Sequence, residues 1–288
     1  MRQHNSGGPT LPATTAYQVG RRATAVLVGI LGAALALSLL GAAGAFGASG
    51  TIPPGTKAWR ASARAHLTLG VSVRRHRIGA QRQGLATAPF VVLIIGQMHG
   101  DESRGPAVVA ALRQLLMPSQ VQIWTISTIN PDGATLHTRR NADKVDLNRN
   151  FPFHWSNKYS SQLYYPGPRP ASEPETRELM AFLQQSRPDL VISLHQHGNA
   201  VDASNSKTLA LAVKLGRALG LKLSRVSCRG VCSGTLTGWY NATYPGLAIT
   251  VELPSSVPTA KALRYARGIL SVVRSYAPAA AKPVPIPK

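Results

Sequence analysis

The segment GQMHGDES holds His99 and Glu102 three residues apart, a spacing at which one turn of chain points an imidazole and a carboxylate at a common point. Nitrogen and oxygen donors of this kind suit zinc, which binds them tetrahedrally and in catalytic centres keeps one position for water. A His-x-x-Glu pair alone also fits an ordinary polar loop, so a third ligand must come from elsewhere. LVISLH supplies His195 at the end of an apolar run, with His197 two residues on as its competitor. His195 is preferred because it is the residue leaving the strand. Glu252, in ITVELP, is a carboxylate near the end of another apolar run, where such a group is rare unless paired or functional.

Between these points lies NPDGATLHTRRNADKVDLNRNFP, which carries Arg139, Arg140, Asn148 and Arg149 in a stretch too polar for a core. A bidentate arginine is the natural receptor for a carboxylate, and a second one near a metal can hold an oxyanion. Read without that context, the loop is equally a solvated basic surface. The only cysteines, Cys228 and Cys232, form a candidate disulfide if the chain folds in an oxidising compartment; two thiolates alone do not complete a zinc site.

These residues need elements to position them. FVVLII at 90–95 is a continuous apolar run closed by Gly96, the pattern of a strand buried on both faces of a parallel sheet. A helix is expected over 105–116, a second strand at VQIWTIST, and a helix over 172–185 with Ser172 as N-cap and Glu175 three residues on. LVISLH gives a third strand, 208–219 a helix, LAITVEL a last strand and 259–276 a C-terminal helix. Residues 67–83 alternate as a strand pair, with Arg74, Arg75, His76 and Arg77 as a solvated turn. Alternating strands and helices make an α/β sandwich with a largely parallel sheet. Ligands in such sheets bind beyond the carboxyl ends of the strands, where His99, Glu102, His195 and Glu252 all fall.

The chain of 288 residues carries 32 Lys and Arg against 11 Asp and Glu, a formal charge of +21. Its basic residues are scattered, with no zinc finger, RNA-binding aromatic signature or basic heptad region, which argues against nucleic acid as a partner. Residues 1–22 contain no acid and end in Arg21 and Arg22, after which 23–48 run without a charge. Such a run is read as a signal peptide or an uncleaved membrane anchor, with the remainder exported. The expected division is a basic segment and apolar run at 1–48, a linker at 49–66, a catalytic domain at 67–276 and a Pro/Ala-rich disordered tail at 277–288. A basic exported domain faces an anionic cell-wall polymer or membrane surface.

HGDE at 99–102, NPDG at 130–133, RRN at 139–141, DLNRNFP at 146–152, SLH at 193–195 and TVELP at 250–254 resemble, in order, the motifs of the zinc carboxypeptidases related to pancreatic carboxypeptidase A, in particular a short bacterial branch that includes murein peptide amidase. The resemblance covers about residues 67–275. It implies a three-layer sandwich with a mixed, largely parallel sheet and one Zn2+ per chain held by His99, Glu102 and His195. It implies Glu252 as general base, Arg139 as the group polarising the scissile carbonyl, and Asn148 and Arg149 as the grip on a substrate's C-terminal carboxylate. The implied reaction is hydrolysis of a peptide or isopeptide bond beside a free carboxylate, with a peptide or muropeptide as substrate and the γ-D-glutamyl-diamino acid bond as one target. Two other readings stand beside it: a zinc acyl-amino-acid hydrolase, and a non-catalytic module that binds wall polymers. The family's mobile tyrosine is unassigned in this sequence; Tyr240 and Tyr244 are the candidates.

Overall fold

The computed structural model describes residues 65–225 and 232–279. The apolar run at 23–48, most of the linker and the end of the tail lie outside the described residues. Among the described residues no helix is long and apolar enough to cross a membrane.

Eight strands form one sheet: β1 (Ala65–Val71), β2 (Arg77–Gln83), β3 (Phe90–Ile95), β4 (Val121–Ile126), β5 (Leu190–Gln196), β6 (Ala200–Asp202), β7 (Lys222–Ser224) and β8 (Leu247–Leu253). Their spatial order is β1-β2-β4-β3-β5-β8-β6-β7. The four central strands, β4, β3, β5 and β8, are parallel. β1 and β2 flank them antiparallel on one side, and β6 pairs antiparallel with β8 on the other. The sheet is therefore mixed, with its apolar runs at the parallel centre.

The helices are α1 (Gly105–Leu112), α2 (Pro131–Leu136), α3 (Pro174–Ser186), α4 (Leu209–Leu219), α5 (Leu236–Thr243) and α6 (Thr259–Tyr276). Strand alternation sorts the side chains between two cores. Val92, Ile94, Leu190, Ile192, Leu194, Val251 and Leu253 pack against α1, α4 and α6. Leu93, Ile95, Val191 and Ala248 face the opposite way, against α3 and α5. Burying each such side chain contributes about 1.5–3 kcal/mol, enough to fix the register of every central strand. That register then decides where the polar residues at the strand ends point.

Several sequence expectations change. The first helix stops at Leu112, short of 116, and α3 begins at Pro174. Ser172 does not cap α3: Glu173 holds the capping position, and the Ser172 hydroxyl donates to Glu173 and accepts from Asn150 Nδ2 instead. The turn before β2 is not simply solvated, since His76 Nδ1 lies 2.6 Å from buried Asp132 and Ser72 donates to the same carboxylate. The short strands β6 and β7 and the helices α2 and α5 were not anticipated.

Candidate metal centre

His99 follows β3 in the turn leading to α1, and that turn is held by close backbone packing. A Cβ on Gly100 would lie 1.9 Å from the Gly133 carbonyl carbon, so the loop approaches α2 only because position 100 has no side chain. Glu102 N donates to the His99 carbonyl at 3.1 Å, closing the turn that sets the two side chains side by side.

His195 arrives by strand alternation. On β5, Leu190, Ile192 and Leu194 face one core, so Val191, Ser193 and His195 face the other. In the parallel ladder His195 pairs with Glu252 of β8 and Ser193 with Thr250, which puts the second imidazole and the candidate base on the same face of adjacent strands.

The donor atoms of His99, Glu102 and His195 all lie within 4.8 Å of one another, and all three residues are buried. His99 Nδ1 is 2.7 Å from Glu102 Oε1, and His195 Nδ1 is 2.9 Å from Glu102 Oε2. Each imidazole has its other nitrogen occupied: His99 Nε2 reaches Asp146 Oδ1 at 3.0 Å, and His195 Nε2 reaches Ser193 Oγ at 3.1 Å. With Nε2 carrying the proton, both Nδ1 lone pairs point at the shared centre, the arrangement by which outer partners orient metal-binding histidines. Two imidazole nitrogens and one carboxylate are a donor set that fits a catalytic zinc with an open position. His197, the competitor read from the sequence, is exposed and outside this cluster.

Asp146 was missed as a site residue, although it opens the DLNRNFP motif. It is fully buried. Besides His99 it accepts from Arg139 Nε at 2.9 Å, lies 2.9 Å from Arg139 Nη2, and accepts from Asn148 N at 2.9 Å. One carboxylate thus aims His99, fixes the arginine and caps the short helical turn that carries Asn148 and Arg149. Burial opposes its ionisation, but His99 and Arg139 beside it hold its pKa well below the carboxylate range. For His99, burial favours the neutral ring; the carboxylates of Glu102 and Asp146 outweigh that and Arg139, carrying the pKa to about 9 in the absence of metal. Glu102 likewise stays ionised despite burial because both imidazoles face it.

The centre opens into a cavity of about 920 Å3 lined by His99, Glu102, His195, Arg139, Asn148, Arg149 and Glu252 among others. Arg139 Nη1 lies 3.6 Å from Glu102 Oε1. The Tyr164 ring, also unforeseen, lies 5.1 Å from the Arg139 guanidinium carbon and 5.7 Å from that of Arg149. Asn148 Oδ1 accepts from Leu236 N at 3.0 Å, which tethers the start of α5 to the site and leaves the Asn148 amide nitrogen to donate. Gly198 N donates to Glu252 Oε2 at 3.3 Å.

Neither candidate tyrosine reaches the cavity. Tyr240 is buried with its hydroxyl on the Pro188 carbonyl, and the Tyr244 ring packs on Trp239 and Tyr240. Cys232 is disulfide-bonded and borders the cavity; Cys228, its expected partner, lies outside the described residues.

The sequence model of the zinc carboxypeptidase family matches residues 70–208. Murein peptide amidase A of Escherichia coli strain K12 is 33% identical over 115 residues, which is 36% of this chain and 48% of that protein; the match spans about half the relative's length. Carboxypeptidase D of Drosophila melanogaster is 30% identical over 179 residues, 51% of this chain and 12% of the relative. Among solved structures, the murein-tripeptide amidase of Escherichia coli O157 superposes with a TM-score of 0.58 at 24% identity, covering 73% of this chain and 92% of that one. Carboxypeptidase A of Helicoverpa armigera gives a TM-score of 0.64 at 17% identity, covering 75% and 68%. Motif order, sheet topology and a converging His-Glu-His donor set agree with these matches, and residues 70–208 are similar to the zinc carboxypeptidase family.

Proposed function

We propose that this chain hydrolyses a peptide or isopeptide bond next to a free C-terminal carboxylate, and that peptidoglycan stem peptides are its substrate class. The observation that carries the reading is the meeting, in one cavity, of the His99–Glu102–His195 donor set, the Glu252 carboxylate and two arginines.

His99, Glu102 and His195 would hold the zinc. When bound, the ion polarises a carbonyl oxygen and lowers the pKa of water towards about 7. Glu252 Oε2 accepts from Gly198 N, and the residue lines the cavity, where its carboxylate can accept the proton of the attacking water and return it to the leaving amine. Arg139, clamped by Asp146, stabilises charge developing on the carbonyl oxygen. Arg149 donates one Nη1 bond to the Asn148 carbonyl at 2.7 Å, and its Nη2 can pair with the substrate's terminal carboxylate together with the Asn148 amide.

The muropeptide preference draws on the names of the two amidase relatives and on the basic charge. The apolar run at 23–48 supports an exported domain, anchored or secreted, with an anionic wall polymer or membrane surface as its neighbour. The test incubates the zinc-loaded full chain with murein tripeptide and ordinary peptides bearing free or amidated C-termini, followed by mass spectrometry. Loss of one C-terminal residue from free-carboxylate substrates alone is expected, fastest for the murein tripeptide. Cleavage of small N-acyl amino acids in preference would favour the acyl-amino-acid hydrolase, and polymer binding by zinc-loaded chain without hydrolysis would favour the non-catalytic module.

A further inference from the structure

The acidic residues are distributed unevenly along the chain. From residue 203 to the C-terminus there are twelve Lys and Arg but one acid, Glu252, and that acid belongs to the cavity. The layer formed by α1, α4 and α6 therefore contains no carboxylate, whereas α3 on the opposite layer carries Glu175 and Glu178.

The fold gathers the cations of α4 and α6 onto one surface. α6 buries Ala262, Tyr265, Ala266, Ile269, Leu270, Val272 and Val273, so Arg264, Arg267, Ser271 and Arg274 form its exposed stripe. On α4, Lys214 and Arg217 are exposed. The two helices meet where a Cβ on Gly268 would stand 2.8 Å from the Ala218 carbonyl oxygen, so Arg267 and Arg217 each adjoin the contact. Lys214 Nζ donates to Ser275 Oγ at 3.2 Å and sits 4.4 Å from the Tyr276 ring centre, next to Arg274. None of these five cations takes part in an ion pair among the described residues. Leu209, the first residue of α4, and Leu223, which lies beside Gly216 of the same helix, are 46% and 42% exposed.

We infer that the α4–α6 face docks on an anionic phospholipid surface. Five unpaired cations spread over two helices, one of them about 27 Å long at 1.5 Å per residue, match an extended sheet of charge. Long Lys and Arg stems with bordering leucines suit the interfacial zone, where the charged heads stay at the phosphates and apolar atoms reach below them. Repulsion is absent because no carboxylate interrupts the face. This gives the charge noted above a location and a single partner, and it stands whether or not the cavity hydrolyses peptides.

The test uses the full chain with Ser271→Cys carrying an environment-sensitive thiol dye, mixed with vesicles of phosphatidylcholine alone or with phosphatidylglycerol added to supply the negative surface potential that attracts basic segments. Any insertion by the apolar run is common to both vesicle types. A blue shift and protection from acrylamide are expected only with phosphatidylglycerol, reversed by 0.5 M salt, roughly three times the physiological ionic strength. The same dye at Gln184→Cys on α3 should not respond. Arg264→Gln with Arg267→Gln removes two cations and should weaken the contact about thirtyfold, at about fivefold each, with zinc content unchanged as the check on folding. Equal responses to both vesicle types overturn the inference. So does protection by polyphosphate, with neutral vesicles, as strong as that given by phosphatidylglycerol, which would make the face a polymer site instead.

Discussion

Replacing Asp146 by Asn tests the idea that one buried carboxylate organises the metal centre. The side chain keeps its shape but loses its charge, and one oxygen becomes an NH2 that must confront either His99 Nε2–H or the Arg139 donors. Asp146 accepts three hydrogen bonds, from His99, Arg139 and Asn148, with a second Arg139 nitrogen at 2.9 Å. Bonds to charged groups contribute about 1.5–3 kcal/mol each. Losing one, with partial relaxation of the partly exposed Arg139, should destabilise the fold by about 2–4 kcal/mol, or roughly 5–15 °C in Tm for a domain of this size. Zinc affinity should fall about 10–100-fold because His99 loses the group that fixes its tautomer. Competition with a chromogenic chelator measures the affinity, and thermal unfolding with and without zinc measures the stability. Glu175→Gln is the control: this carboxylate is also buried, but it lies outside the site, its pKa is raised by burial, and Asn141 Nδ2 donates to it. Neutralising it should leave zinc affinity unchanged. Wild-type zinc affinity in Asp146→Asn would refute the reasoning, as would an equal loss in Glu175→Gln.

Glu252→Gln should keep full zinc occupancy while turnover falls about 10²–10⁴-fold, the range for losing a general base, as measured by metal analysis beside peptide hydrolysis. His195→Ala should lose zinc and His197→Ala should retain it; the reverse result would assign the ligand to the exposed histidine. Because the pKa of His99 is raised to about 9 without metal, its charged ring stabilises the metal-free protein fully below its ordinary value near 6.5, and that contribution is lost as pH rises through 9. Zinc must displace this proton, so affinity should fall by about tenfold per pH unit from 9 towards 7; calorimetry in two buffers of different ionisation enthalpy should find one proton released at pH 7.5. Gly100→Ala forces a Cβ against the Gly133 backbone and should cost about 1–3 kcal/mol of stability, with weaker zinc binding because the same loop carries His99.

The apolar runs at 90–95, 190–195 and 247–253 and the amphipathic run at 259–276 are local patterns, so the central strands and α6 were legible without coordinates. The same holds for His99 and Glu102, whose spacing is a property of a single turn, and for the placing of His195 and Glu252 at strand ends. β6 and β7 were hidden because three-residue strands have too little periodicity to read, and α5 because LTGWYNAT looks like a loop until Thr235 caps it through Gly238 N. Sequence reading likewise took His76 as part of a solvated turn, because nothing within ten residues of it announces Asp132.

The sequence by itself determined which donors exist, that zinc is the ion they suit, and that strands would deliver them to one edge of a sheet. Tertiary structure alone decided that Asp146 meets His99 across 47 residues, that His195 and not His197 faces the ligands, that Tyr240 and Tyr244 are spent on packing, and that the cations of α4 and α6 share a face. The physical reason is the same in each case: periodicity and spacing are written along the chain, whereas a hydrogen bond or a shared surface between distant segments depends on the register and crossing of elements that only the packed core sets.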